Sequence, residues 1–136
     1  MNTTSIILAS LASLFMNASL LALDNVYVAE KTPGTLVNVD DATIRDRPSI
    51  EIVRPFPVRQ AWFTSTVSTK TRWSSRLAQL ISVDCDAEKI AILKSVEYLP
   101  DDKMGTNVDQ PDRTDSYEYA VPQSVGYKMV RALCDA

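Results

Sequence analysis

Two cysteines, Cys85 and Cys134, are the only thiols in the chain, and 49 positions separate them. What they can do depends on the compartment, and the N-terminal segment bears on that. From Ile6 through Leu23 no side chain is charged, and all 14 basic and 17 acidic residues come later. An uncharged apolar run followed by ordinary mixed-polarity sequence is the pattern of an export signal, and export leads to compartments that permit disulfides. A Cys85–Cys134 bridge is therefore expected, with two buried free thiols as the alternative. Closing that loop would restrict the unfolded chain by about 4 kcal/mol in the loop-entropy model. A zinc pair is disfavoured, because the chain has no histidine to complete a site.

The signal reading assigns residues 1–22 to a cleaved peptide ending at Ala22, with Ala18 as the alternative end, and leaves residues 23–136 as one domain. The start lacks the usual basic residue, and Ser10, Ser13, Asn17 and Ser19 interrupt the apolar run. The alternative is an uncleaved anchor through residues 6–23, since about 20 apolar residues suffice to span a bilayer. Either way the domain is expected to be periplasmic or extracellular.

Within the domain, alternation of apolar and polar residues predicts strands. Val26–Ala29 and Leu36–Val39 flank a Pro33-Gly34 turn, and Thr43–Asp46 and Ile50–Arg54 alternate between prolines. Ala61–Val67 is rich in aromatic and β-branched types. Arg76–Cys85 fits a helix in its first half and a strand in its second, and strand is preferred for at least the second. Ile90–Leu99 returns as its hairpin partner after Asp86-Ala87-Glu88. Pro100–Thr114 reads as a loop without an apolar pattern, and Ser116–Val121 as a last strand. After Pro122 the period changes. Val125, Met129, Val130 and Leu133 lie on one helical face, Ser124 can cap it, and Cys134 falls on its last turn. The expected fold is α+β: an antiparallel sheet of about six strands with a C-terminal helix packed on it.

Chemistry has few residues to work with. Without histidine, Ser-His and Cys-His nucleophiles and the commonest general base near neutral pH are absent. The acidic loop Asp101–Asp112 lacks the ligand spacing of an EF-hand and reads as a solvated loop. Asp40-Asp41 and Asp84 with Asp86 could supply carboxylates for a hydrolase, the weakest of the readings. No cofactor, metal site or enzymatic activity is expected, and a net charge of −3 gives no case for nucleic acid. Charge is unevenly placed, however. Between Arg45 and Arg76 seven basic residues (Arg45, Arg47, Arg54, Arg59, Lys70, Arg72, Arg76) face only Asp46 and Glu51. Between Asp84 and Glu118 ten acids face four basic residues. One account is cross-strand pairing inside the sheet. The other is a partner-binding face built from Arg45, Arg47, Arg54, Arg59, Arg72 and Arg76.

The order of motifs resembles a known family. Trp62-Phe63, a Ser-rich turn, Val83-Asp84-Cys85 opening a hairpin, and Val121-Pro122-Gln123-Ser124 leading into a helix that ends in Cys134 resemble the surface-adhesin protein E family of exported bacterial proteins. In that family an Asp-Cys pair closes a strand and a Pro-x-Ser element opens the terminal helix. The resemblance runs from about Asp40 to Cys134. It departs in having Gln123 where glycine is common, tyrosines (Tyr117, Tyr119) where tryptophan is often found, and no lipoprotein cysteine. It implies a small disulfide-bonded sheet-and-helix domain. The expected function is a non-enzymatic, protein-binding domain of the bacterial envelope. The alternative is an accessory subunit of an envelope complex, held at the membrane only if the N-terminal segment is retained.

Overall fold

A computed structural model describes residues 25–68, 74–101 and 103–136. The N-terminal segment read above as an export signal, Lys70, Arg72 and Trp73 therefore lie outside the described residues. Six antiparallel strands form a continuous path: β1 (Asn25–Thr32), β2 (Thr35–Asp40), β4 (Val58–Ser68), β5 (Ser74–Asp84), β6 (Lys89–Tyr98) and β7 (Met104–Asp109). Two short strands are appended, β3 (Arg45–Arg47) on β4 and β8 (Glu118–Tyr119) on β6. A helix, α1 (Val125–Cys134), packs on one face.

The register decides what each face carries, because directly opposed residues of antiparallel strands point to the same side. Val37 and Val39 of β2, Ala61 and Phe63 of β4, and Ile81 and Val83 of β5 form one apolar surface. Met129, Val130 and Leu133 of α1 close over it, with Val125 half-buried at the rim, while Lys128 stays exposed. Ser124 stops the helix from fraying: its Oγ accepts the Tyr127 N–H at 3.1 Å and donates to the Val121 carbonyl at 2.6 Å. Cys85, just past β5, is bonded to Cys134 on the last turn of α1, so the helix is stapled to the sheet. A ten-residue helix is marginal alone, and burial plus the staple hold it in place.

The opposite face has a smaller core of its own. Val58, Ala91, Leu93 and Tyr117 are buried there, with Phe56 and Leu80 packed against them. The Phe56 and Tyr117 rings meet edge to face at 5.1 Å.

Three segments differ from the sequence expectation. Ile50–Arg54 is a tight turn instead of a strand, closed by hydrogen bonds between Ile50 and Arg54 of 3.0 and 2.6 Å. Its alternation marks no sheet face, because the Arg54 side chain is drawn into the interior. Residues 104–109, expected as loop, form β7, an edge strand exposed at every position and so without alternating burial. The last strand is only Glu118–Tyr119. Arg76–Cys85 resolves as strand through Asp84, including the half that also suited a helix.

The residue before the helix cap carries strain. Gln123 has φ of 67°, in the left-handed region that glycine tolerates and other residues occupy at a cost. A glycine, which the resemblance noted above leads one to expect here, would adopt this conformation without that cost. Replacing Gln123→Gly is expected to stabilise the protein by about 1 kcal/mol. Urea unfolding at unchanged m-value checks this, and an unchanged or lower midpoint would refute it.

Candidate functional site: the sheet face opposite the helix

Position along β4 determines this site. On its outer edge β4 pairs with β3 through Val58–Gln60 and with β2 from Phe63 onward. Trp62 falls in the gap between them, and its backbone N–H donates to Thr43 Oγ1 at 2.9 Å instead of to a strand. Thr43 is itself fixed in a 3-10 turn, Asp41–Thr43, that Asp40 caps. Trp62 is thus held half-buried at a junction, with Leu80 directly across on β5.

Arg45 and Arg47 oppose Gln60 and Val58, which puts both on the same side as Trp62, away from the helix. Together Thr43, Arg45, Arg47, Gln60, Trp62 and Leu80 line a groove of about 200 Å³. Both arginines are exposed, and neither has a hydrogen bond or ion pair with any described residue. Arg76 projects from the same face further along β5, where its guanidinium lies 5.3 Å from the centre of the Tyr98 ring.

The remaining sequence-predicted arginines are placed differently. Arg59 points to the helix side, donating to Asp46 at 2.8 Å and to the Leu133 carbonyl at 2.9 Å, so it ties β3 and the end of α1 to β4. Arg54 is a correction to the expected binding face. Its side chain is 1% exposed, its Nε pairs with Asp112 at 2.8 Å, and its Nη1 donates to the Pro48 and Phe56 carbonyls at 3.1 and 2.6 Å. Arg72 lies outside the described residues.

Sequence reasoning missed the network that continues from Arg54. Tyr117 donates its hydroxyl proton to Asp112 Oδ1 at 2.6 Å. A phenol has one proton to give, so Ser82 is the donor in its 2.7 Å contact with the Tyr117 oxygen. Gln60 Nε2 then donates to Ser82 Oγ at 3.3 Å. The chain runs from a buried guanidinium to a residue lining the Trp62 groove. No local sequence signal marks it, since Asp112 is 58 positions from Arg54. Burial, and then the bond to the Asp112 carboxylate, push Tyr117 well above the ordinary tyrosine range.

The carboxylates considered for hydrolysis are not assembled for it. Asp84 is buried, and its Oδ1 accepts the Asp86 and Ala87 N–H groups in the β5–β6 turn. Among the described residues no three acidic or cysteine side chains converge as a metal site. No helix among the described residues is long and apolar enough to cross a membrane.

An antiparallel sheet with a terminal helix stapled to it by a disulfide defines the chain in class as a small α+β domain. The chain matches the surface-adhesin protein E family over residues 26–135 and belongs to that family. Comparison with curated proteins and comparison with solved structures gave no match.

Two outcomes test the network. Asp112→Ala leaves the Arg54 charge buried without its counter-ion and is expected to cost about 3–5 kcal/mol in denaturant unfolding. A loss under about 1 kcal/mol would show the pair to be solvated and unimportant. Tyr117 has its folded pKa raised above the unfolded value. Its contribution is therefore complete below the ordinary value of about 10 and declines as pH rises above that. Tyr117→Phe should flatten the alkaline fall in melting temperature and remove the last tyrosinate component from an absorbance titration.

Proposed function

We propose that this is an exported, non-enzymatic adhesin-like protein that docks on another protein through the sheet face bearing Arg45, Arg47 and Trp62. Residues 1–22 serve as its export signal, and residues 23–136 are one domain working outside the cytoplasm. Family membership supports the adhesin-like reading. The observation that carries the choice of face is the pair of exposed arginines, unpaired among the described residues and beside a half-buried tryptophan. Elsewhere in the fold Arg54 and Arg59 are paired. Arginines left open beside an aromatic ring suit charge-assisted bonds to carboxylates of a partner. Arg76 lies on the same face and extends it.

The test uses the mature chain, tagged and immobilised, to capture its partner from the envelope and from the surfaces to which the producing cells attach. Against that partner, Arg45→Ala combined with Arg47→Ala should weaken binding about tenfold and lower its salt dependence, since rim charges act on steering and screened contacts. Thermal stability should stay within about 0.5 kcal/mol, as neither side chain has a described partner to lose. Wild-type affinity in the double variant would place the docking face elsewhere.

A further inference from the structure

The Ile50–Arg54 turn displays apolar side chains where turns usually carry Gly, Asn, Asp or Ser. Ile52 is 98% exposed, Ile50 51% and Val53 37%. One exposed aliphatic residue needs no explanation, but three on a single turn form a knob. Nor is this a loose loop. The Val53 and Arg54 N–H groups both donate to the Ile50 carbonyl, Thr114 N–H donates to the Val53 carbonyl at 3.1 Å, and the Arg54 side chain is buried beneath. A knob already held in shape loses little further freedom on binding, which favours affinity.

Its surroundings indicate what it would enter. Arg47 ends β3, and the next residue, Pro48, accepts a bond from Arg54, so the knob and the two open arginines share one end of the sheet. Arg47 lines both the Trp62 groove and a neighbouring groove of about 420 Å³ whose walls include Pro48 and Pro57. Glu51, exposed between Ile50 and Ile52, argues against lipid, because insertion of both isoleucines into a bilayer would take the carboxylate out of water, whereas a pocket that admits Ile52 leaves it solvated. We propose that Ile52, flanked by Ile50 and Val53, is the anchor that fills an apolar pocket on a partner protein whose rim carries acidic groups opposite Arg45 and Arg47. This rests on the docking face proposed above.

The full chain carrying the photo-crosslinker p-benzoylphenylalanine at position 52 tests it in the cells that export the protein. A discrete protein adduct is expected, with the crosslinked partner peptide lining an apolar pocket rimmed by Asp or Glu. Its yield should fall at least fivefold when Arg45→Ala and Arg47→Ala are added. Ile52→Asp should abolish capture of that same partner while leaving the melting temperature unchanged, because Ile52 is almost wholly in solvent. Adducts with lipid alone, no adduct at position 52, or a yield indifferent to the arginines would overturn the proposal. The crosslinker at Thr64, on the same face as Trp62, separates the two ideas. Adducts from 64 but not 52 remove the anchor and keep the face. Silence at both removes the face as well.

Discussion

The buried Arg54–Asp112 pair governs the half of the molecule that the helix does not touch. A guanidinium away from water is costly unless its donors are occupied, and here a carboxylate and two main-chain carbonyls take three of the five. Those acceptors come from three places: Pro48 after β3, Phe56 before β4, and Asp112 in the segment after β7. One side chain therefore fixes how three connections lie across the sheet. Phe56 and Tyr117 are brought into contact by it, and the smaller core forms between them. Because the pair is buried and shared, its value lies in specifying the arrangement more than in net stability.

The two faces of the sheet are finished by different means. On one, a short amphipathic helix supplies the apolar cover, and a disulfide at its end compensates for its length. On the other, connecting segments do the covering, organised by polar contacts. Neither cover reaches the middle of β4 on the side of Trp62. The uncovered stretch coincides with the switch of β4 from one neighbour to another, where regular pairing lapses and Thr43 substitutes for a strand. An irregularity in pairing has thereby left an aromatic ring and two arginines facing outward from a rigid floor.

What could be read from the sequence was whatever is periodic or covalent. The helix was legible because Met129, Val130 and Leu133 recur on one face with Ser124 before them, and the disulfide because two cysteines permit one pairing. Strand β4 was legible because it alternates between a buried and a less buried side, whereas β5, half-buried throughout Leu77–Leu80 and buried throughout Ile81–Asp84, was legible only in its second half. Strand β7 was not, since an edge strand exposed throughout leaves no alternation to find. The Ile50–Arg54 turn misled for the converse reason: its residues alternate in type, but what closes it is a charge whose partner is remote in sequence. Among the candidate arginines, composition could not separate one that is buried from one that is open. The knob at Ile52 was illegible on the same ground, because exposure of an isoleucine is a property of the fold alone.

The uneven charge of the chain admitted internal pairing or a binding face, and among the described residues the structure assigns two of the arginines to internal pairing. Arg54 meets an acid from the acidic half, Asp112, as cross-segment pairing requires. Arg59 is satisfied by Asp46 and by the end of the helix. These two serve the fold, and positive charge without a partner among the described residues is carried by Arg45 and Arg47. On a chain whose net charge is −3, such a cluster is a local reversal of sign. Its field falls off within roughly 8 Å at physiological salt, so it can orient a partner only at close approach. Apolar contact must then hold what the charges have oriented, and the Ile50–Val53 knob at the same end of the sheet offers that contact.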